Sequence, residues 1–372
     1  MTKGLIGISI FSLLLAFFVP ILLSQETKKP LSFQDIEDWL KDKLSAARLT
    51  TLIEERGVDF EATEDITAKI RKAGADNKVI EAVKKAGLDF AKKKKRVGDD
   101  GAEMALIPTG EFLMGSSGAS LVSVIEQCEE LEKRQKQGVK CRDPYNDEQP
   151  QHRMFLDAFF IDKYEVTNAL FERFVRATGH KTDAEKGGSG WNFQQKDGKW
   201  QWVETKGTSW RNPTGPESET KSDHPVVQVS WNNAEAYCKW AGKRLPTEAE
   251  WEKAARGTDG RQYPWGDNWD NSKANGNMSV RTTTAVGSYP QGVSPYGVHD
   301  MAGNMWEWVT DWYDQTYYQR SPNRNPKGPD SGQYRVLRGG SWLLYPGDLR
   351  ASGRGRGVPT SRLGSYGFRC AQ

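Results

Sequence analysis

From residue 258 to the C-terminus, short apolar stretches alternate with Gly, Pro, Asn and Asp. That spacing gives loop-dominated structure with a few strands and leaves little room for helix. The chain carries 37 glycines and 14 tryptophans in 372 residues. Many glycines mean many tight turns at positive φ. Many tryptophans, mostly in patterned segments, mean a core of large aromatics among irregular loops.

Upstream, regular elements are legible. Residues 104–107 and 112–114 read as strands on either side of the turn Pro108-Thr109-Gly110, and 155–162 is apolar and strand-like. Residues 117–150 read as an insertion. Helical spacing over Asn168–Thr178 ends at Gly179, and a second helix over 232–241 ends at Gly242. Thr247 with Glu250 forms a capping box that opens a third helix, closed by Gly257. Residues 181–222 are polar, rich in Gly and Trp, and read as loop. The class is α+β.

A small helical module precedes this domain, over residues 31–90. Four short helices are punctuated by Ser32, Thr63 and Asp76 at their starts, and by Gly57, Gly74 and Gly87 at their ends. Arg56-Gly57-Val58-Asp59-Phe60 and Ala86-Gly87-Leu88-Asp89-Phe90 form a weak internal repeat. The module has no His, Cys or Gly-rich loop and reads as a spacer or docking element. A basic linker over 91–102 carries Lys92 to Arg96 as a solvated charge run. The main domain then runs over 103–372.

Residues 1–26 read as a signal peptide or membrane anchor: Lys3 precedes an uncharged apolar run over 5–23. Either places the chain outside the cytoplasm, in the periplasm or at the cell surface, where disulfides form. Four cysteines allow three connectivities. Cys128–Cys141 with Cys238–Cys370 is favoured, and a buried free thiol at Cys238 is the alternative. A net charge of +3 gives no reason to expect a nucleic-acid partner.

Several longer motifs occur in order: His224-Pro225-Val226, Gly242-Lys243-Arg244-Leu245-Pro246-Thr247-Glu248-Ala249-Glu250-Trp251, Gly303-Asn304-Met305-Trp306-Glu307-Trp308, Arg338-Gly339-Gly340-Ser341-Trp342 and Gly367-Phe368-Arg369-Cys370. Over residues 103–372 the chain resembles the formylglycine-generating enzyme (sulfatase-modifying factor) family. The resemblance implies a C-type-lectin-like fold elaborated with irregular loops. It implies further that catalytic members carry two copper-binding cysteines after the Gly-Gly-Ser-aromatic motif. Leu344 and Leu349 stand at those positions, and leucine offers copper(I) none of the soft ligands it takes. No copper is expected, and an enzyme is not the favoured reading. The four histidines, 152, 180, 224 and 299, form no ligand pair on a helix face.

The same resemblance implies calcium at Asp300, Glu307 and the carbonyls of Gly303 and Met305, the oxygen-donor mixture a hard cation takes. A second, degraded site would use Asn275 and Gly276. Seven arginines between 335 and 372, against one Asp and no Lys, are expected to pair with carboxylates of the third helix. The Arg-Gly-Gly-Ser-Trp frame also resembles the variable proteins of diversity-generating retroelements, which display a ligand-binding face. On that analogy Tyr345, Leu349, Arg354, Arg356 and Tyr366 are expected to contact an unknown protein or surface ligand, in a non-catalytic exported protein. Two other readings stay open: a formylglycine-type oxidoreductase with an atypical site, and a structural subunit of a cell-envelope complex.

Overall fold

The computed structural model describes residues 30–60, 62–94, 96–135 and 145–372. The expected signal or anchor segment and Cys141 lie outside these residues, and so does the side chain of Cys128, so the Cys128–Cys141 pairing does too. No helix among the described residues is long and apolar enough to cross a membrane.

The N-terminal module has four helices: α1 (Phe33–Lys41), α2 (Ala46–Arg56), α3 (Glu64–Lys72) and α4 (Asn77–Lys94). Ser32 caps α1 in a capping box with Asp35, Ser45 caps α2, and Thr63 caps α3. Each side-chain oxygen takes one of the amides a helix start leaves unpaired. Ile36, Leu49, Ile53, Ile70, Val79 and Val83 fill a small core of their own. Gly87 does not end the fourth helix, which continues to Lys94. A Cβ at Gly87 would lie 2.6 Å from the Ala62 Cβ. The glycine lets the helix approach the preceding loop, which is a packing role.

The main domain continues with β1 (Arg96–Val97), β2 (Glu103–Ile107), β3 (Gly110–Met114), α5 (Gly118–Gln135), β4 (His152–Leu156), β5 (Phe159–Asp162) and α6 (Asn168–Thr178). The apolar run at 155–162 is thus divided, at Asp157-Ala158. β2 and β3 do not pair with each other across their turn: β2 joins β1 and β5, and β3 joins β4. Lys243 draws the linker onto the core, its Nζ donating to Asp100 (2.8 Å) and Asp162 (2.7 Å), while Tyr237 Oη donates to Asp100 (2.7 Å).

Residues 181–222 correct the expectation of loop. They hold α7 (Asp183–Gly187) and a hairpin of β6 (Ser189–Lys196) and β7 (Lys199–Lys206). Asp197 and Gly198 turn it at φ +53° and +75°, the two-residue turn that suits the strand twist.

Two helices cross the core: α8 (Trp231–Trp240), capped by Ser230, and α9 (Glu248–Arg256), capped by Thr247 in the expected box with Glu250. Around them lies a sheet built from β8 (Trp306–Trp312), β9 (Arg335–Arg338), β10 (Arg354–Gly357) and β11 (Tyr366–Phe368), in the order β10-β9-β8-β11. Cys238 on α8 is bonded to Cys370 beyond β11, so the disulfide ties the last strand to a core helix as expected.

α9 is buried on nearly every side, charged residues included. The C-terminal arginines supply its counter-charges. Glu252 accepts from Arg338 Nη2 (2.6 Å), Arg256 Nη1 (2.8 Å) and the Gly115 amide (2.7 Å). Burial pushes the Glu252 carboxyl up, but Arg338 and Arg256 together hold it below the usual range. Arg350 forks onto Glu148 at 2.8 Å through both terminal nitrogens.

Candidate functional site

β9 ends at Arg338, and the chain then turns through Gly339 (φ +87°) and Gly340 (φ +73°). Side chains other than glycine rarely take that conformation. Both positions are also crowded: a Cβ at Gly339 would lie 3.0 Å from the Trp251 ring, and one at Gly340 2.4 Å from Leu349 Cδ2. The following residues lace three loops together. The Trp342 amide donates to the Asn304 carbonyl (3.1 Å), and the Met278 and Asn277 amides donate to the carbonyls of Trp342 and Leu344 (2.8 Å each). The Gly303 amide donates to Gly339 and the Asn304 amide to Asn275.

Leu344 and Leu349 converge over Gly340, where a Cβ would lie 3.5 Å from Leu344 Cδ1 and 2.4 Å from Leu349 Cδ2. Leu349 is fully buried. Its Cδ1 and the Trp269 ring both crowd Gly276. Beyond stands an aromatic wall: Tyr263 stacks on Trp265 with centroids 5.4 Å apart, and Trp269 meets both rings. Tyr263 Oη donates to the Pro346 carbonyl (3.0 Å). Where the resemblance puts thiolates, this chain has hydrocarbon. Ser341 Oγ and Trp342 Nε1 are buried beside it without a hydrogen-bond partner.

Of the five residues expected on a ligand face, two lie in the core. Leu349 and Arg354 are fully buried. Arg354 Nε and Nη2 donate to Glu248 at 2.7 and 3.0 Å. It therefore does the core-pairing work expected of the tail arginines. Tyr366 lies on β11, half-buried and packed edge-on against Trp308 (5.3 Å), with its ring reaching β10, where a Cβ at Gly357 would lie 3.3 Å from it. Burial pushes its hydroxyl up to about 12. Tyr345 is partly exposed and Arg356 exposed, with Arg356 lying over Tyr313 at 4.8 Å.

The residues expected around calcium are brought close. Asp300 stands at φ +58° and accepts from the Gly287 amide (2.6 Å). Burial pushes its carboxyl up to about 6. Glu307 is already engaged: Arg369 forks onto it at 2.7 Å through Nε and Nη2, and Trp251 Nε1 donates to it (2.8 Å). Sequence reasoning missed Glu165. It is buried next to Asn304, whose Nδ2 donates to Glu165 Oε2 (2.8 Å). Burial raises its carboxyl well above the usual range, and Asp300 and Glu307 add to the rise. The signal was an acid between an apolar strand and the Thr167 helix cap.

Glu165, Asp300 and Glu307 thus share the field of one arginine, Arg369, and Glu165 Oε1 and Asn275 Oδ1 are buried without partners. Three buried carboxyls for one arginine, with spare oxygens among them, suit a hard cation. Among the described residues no three His, Cys, Asp or Glu side chains form a ready metal cage. Main-chain carbonyls such as those of Gly303 and Met305 would have to complete any ligand set.

Residues 89–372 match the family model described as the sulfatase-modifying factor enzyme 1-like domain. The formylglycine-generating enzyme of Streptomyces coelicolor is 44% identical over 264 residues, covering 61% of this chain and 82% of the relative. The inactive C-alpha-formylglycine-generating enzyme 2 of Bos taurus is 34% identical over 276 residues, covering 63% and 83%. Among solved structures, PvdO from Pseudomonas aeruginosa superposes with a TM-score of 0.54 at 25% identity, covering 74% of this chain and 96% of that one. The Treponema denticola variable protein 1 shares the fold, with a TM-score of 0.50 at 23% identity over 73% of this chain and 94% of that one. The chain belongs to the sulfatase-modifying factor enzyme 1-like domain family.

Proposed function

We propose that this protein is an exported, non-catalytic member of the family that binds a protein partner or surface ligand on its C-terminal side. The observation that carries the reading is the convergence of Leu344 and Leu349 over Gly340. A copper(I) centre needs soft donors; Leu349 fills one of the two positions with buried hydrocarbon, and Leu344 with the aromatic wall supplies apolar contact surface. The relative named inactive supports a non-catalytic branch. The apolar run over 5–23 and the Cys238–Cys370 disulfide support export. With Leu349 and Arg354 in the core, the binding surface reduces to Tyr345, Arg356 and the leucine–tryptophan patch around Leu344 and Trp269.

Calcium is part of the proposal. Asp300, Glu165 and the carbonyls of Gly303 and Met305 would hold it, with Glu307 sharing its charge with Arg369. The metal would hold the 275, 300 and 339 loops together and supply no chemistry.

One metal titration tests both halves. Calcium should raise the melting temperature by mass action on the native state, and Asp300→Asn should abolish the rise. Copper(I) should not bind stoichiometrically, and a cysteine-containing peptide should cause no oxygen uptake. Tight copper(I) binding that persists in Cys128→Ser with Cys141→Ser refutes the non-catalytic reading. Identical melting curves in calcium and in chelator refute the calcium site.

A further inference from the structure

The β6–β7 hairpin carries a feature that the C-terminal site does not use. Its register places Trp191 opposite Glu204, Phe193 opposite Trp202, and Gln195 opposite Trp200. Alternate residues share a face, so four aromatic side chains lie on one side of a two-stranded ribbon. Trp191 and Trp202 remain 42% and 40% exposed. Phe193 stacks on Trp200 (centroids 5.7 Å, 22° between planes) and packs against Trp202 (5.4 Å). An isolated hairpin is marginal in water, but this one is anchored. The Trp191 amide donates to the Arg362 carbonyl (3.1 Å), and the Gly364 amide donates to the Trp191 carbonyl (2.9 Å). The rings therefore form a rigid, solvent-facing platform that serves no core.

Its charge selects the occupant. Lys206 shares the aromatic face at the base, and Arg281 lies over Trp200, 5.8 Å from the centroid. Lys196 and Lys199 stand exposed at the tip, on the other face of the ribbon by the same alternation. On the aromatic face Lys206 and Arg281 stand against Glu204, whose Oε1 already accepts from Ser189 Oγ (2.7 Å).

We propose that this ribbon binds an acidic polysaccharide, with pyranose C–H faces stacked on Trp191 and Trp202 and sugar carboxylates paired to Arg281 and Lys206. Indoles offer flat apolar faces at little entropic cost. Guanidinium and ammonium groups hold carboxylates by charge-assisted hydrogen bonds. A single-stranded nucleic acid also stacks on such rings, but it brings one phosphate per base and demands a denser cation track. Glu204 on the face beside Trp191 opposes that track.

The test uses the full chain, with polygalacturonate as acidic probe, dextran as neutral probe and oligothymidylate as the nucleic-acid control, read by affinity electrophoresis or calorimetry. Polygalacturonate should bind, weaken with salt, and exceed dextran and oligothymidylate. Trp191→Ala with Trp202→Ala should reduce its affinity on the order of tenfold or more, as expected for lost aromatic contacts. Arg281→Gln should bring polygalacturonate down towards the dextran level. This variant leaves the rings in place, so the test survives if the double variant unfolds. Equal binding of the two polysaccharides, tighter oligothymidylate binding, no polygalacturonate binding, or affinity unchanged in Trp191→Ala with Trp202→Ala or in Arg281→Gln would overturn the proposal.

Discussion

Replacing Glu248 by Gln tests whether the C-terminal arginines hold this fold together. Glu248 is 2% exposed at the first turn of α9. Its Oε1 accepts from Arg354 Nε (2.7 Å), Arg338 Nη1 (3.2 Å) and Tyr318 Oη (3.2 Å), and its Oε2 accepts from Arg354 Nη2 (3.0 Å). Gln keeps the size and one acceptor. It removes the charge and turns an N–H donor towards Arg354 Nη2. Arg338 still has Glu252, whereas Arg354, fully buried, loses its forked carboxylate. Removing one partner of a buried ion pair costs about 3–5 kcal/mol, because the other charge is stranded. At roughly 2.1 cal/mol/K of unfolding entropy per residue over the main domain, that lowers the melting temperature by about 5–9 °C. Urea unfolding at pH 7 reads the loss as a lower midpoint at constant slope. The control is Glu111→Gln at the exposed Arg153–Glu111 pair (3.3 Å; side chains 78% and 58% exposed), which should stay within about 1 kcal/mol. If both variants lose less than about 1 kcal/mol, the buried arginine network is not what stabilises the domain.

Asp311 gives a pH signature. Its carboxyl is raised to about 8, first by burial and then by Glu248 nearby. A folded value above the unfolded one means the folded state holds a proton the unfolded state has released. Its contribution is therefore greatest near pH 4, falls up to about pH 8 and is flat beyond, so Asp311→Asn should flatten stability against pH in that window. Parallel curves for the two proteins would show that the group does not titrate so. Gly87→Ala should destabilise the N-terminal module by about 1–3 kcal/mol through the contact with Ala62, reversing the gain that alanine normally brings inside a helix. A rise in the module's thermal midpoint would show that the loop yields instead.

The helices were legible because their caps are local chemistry. Ser32, Thr63 and Thr247 each accept an amide three residues on, and that pattern is written in the sequence. The hairpin at 189–206 was missed although Asp197-Gly198 is a hairpin signal. Its strands are bordered by glycines and carry Gln and Lys between aromatics, so polarity masked the alternation. Gly87 was misread because a glycine that ends a helix and one that admits a neighbour look alike in sequence. The tail arginines were legible as a set, since seven cations with one acid need partners elsewhere. Their individual fates were not. Arg354 and Arg356 lie two residues apart on β10, yet the segments around Asp147, Asp314 and Tyr318 cover the first and stop short of the second.

The same geometry explains why a Gly-Gly-Ser-Trp frame persists around leucines. Gly339 and Gly340 are fixed by positive φ and by contacts with Trp251 and Leu349. Trp342 is fixed by burial and by main-chain bonds to Asn304 and Met278. Any of these replaced by a larger or smaller side chain would open or jam three loops at once. Positions 344 and 349 carry no such backbone demand: both side chains pack over Gly340, and Leu349, fully buried, also packs on Gly276. An apolar side chain of moderate size satisfies that contact. The frame is set by the backbone, while the two positions after it ask only for apolar volume that fits, half-buried at 344 and fully buried at 349.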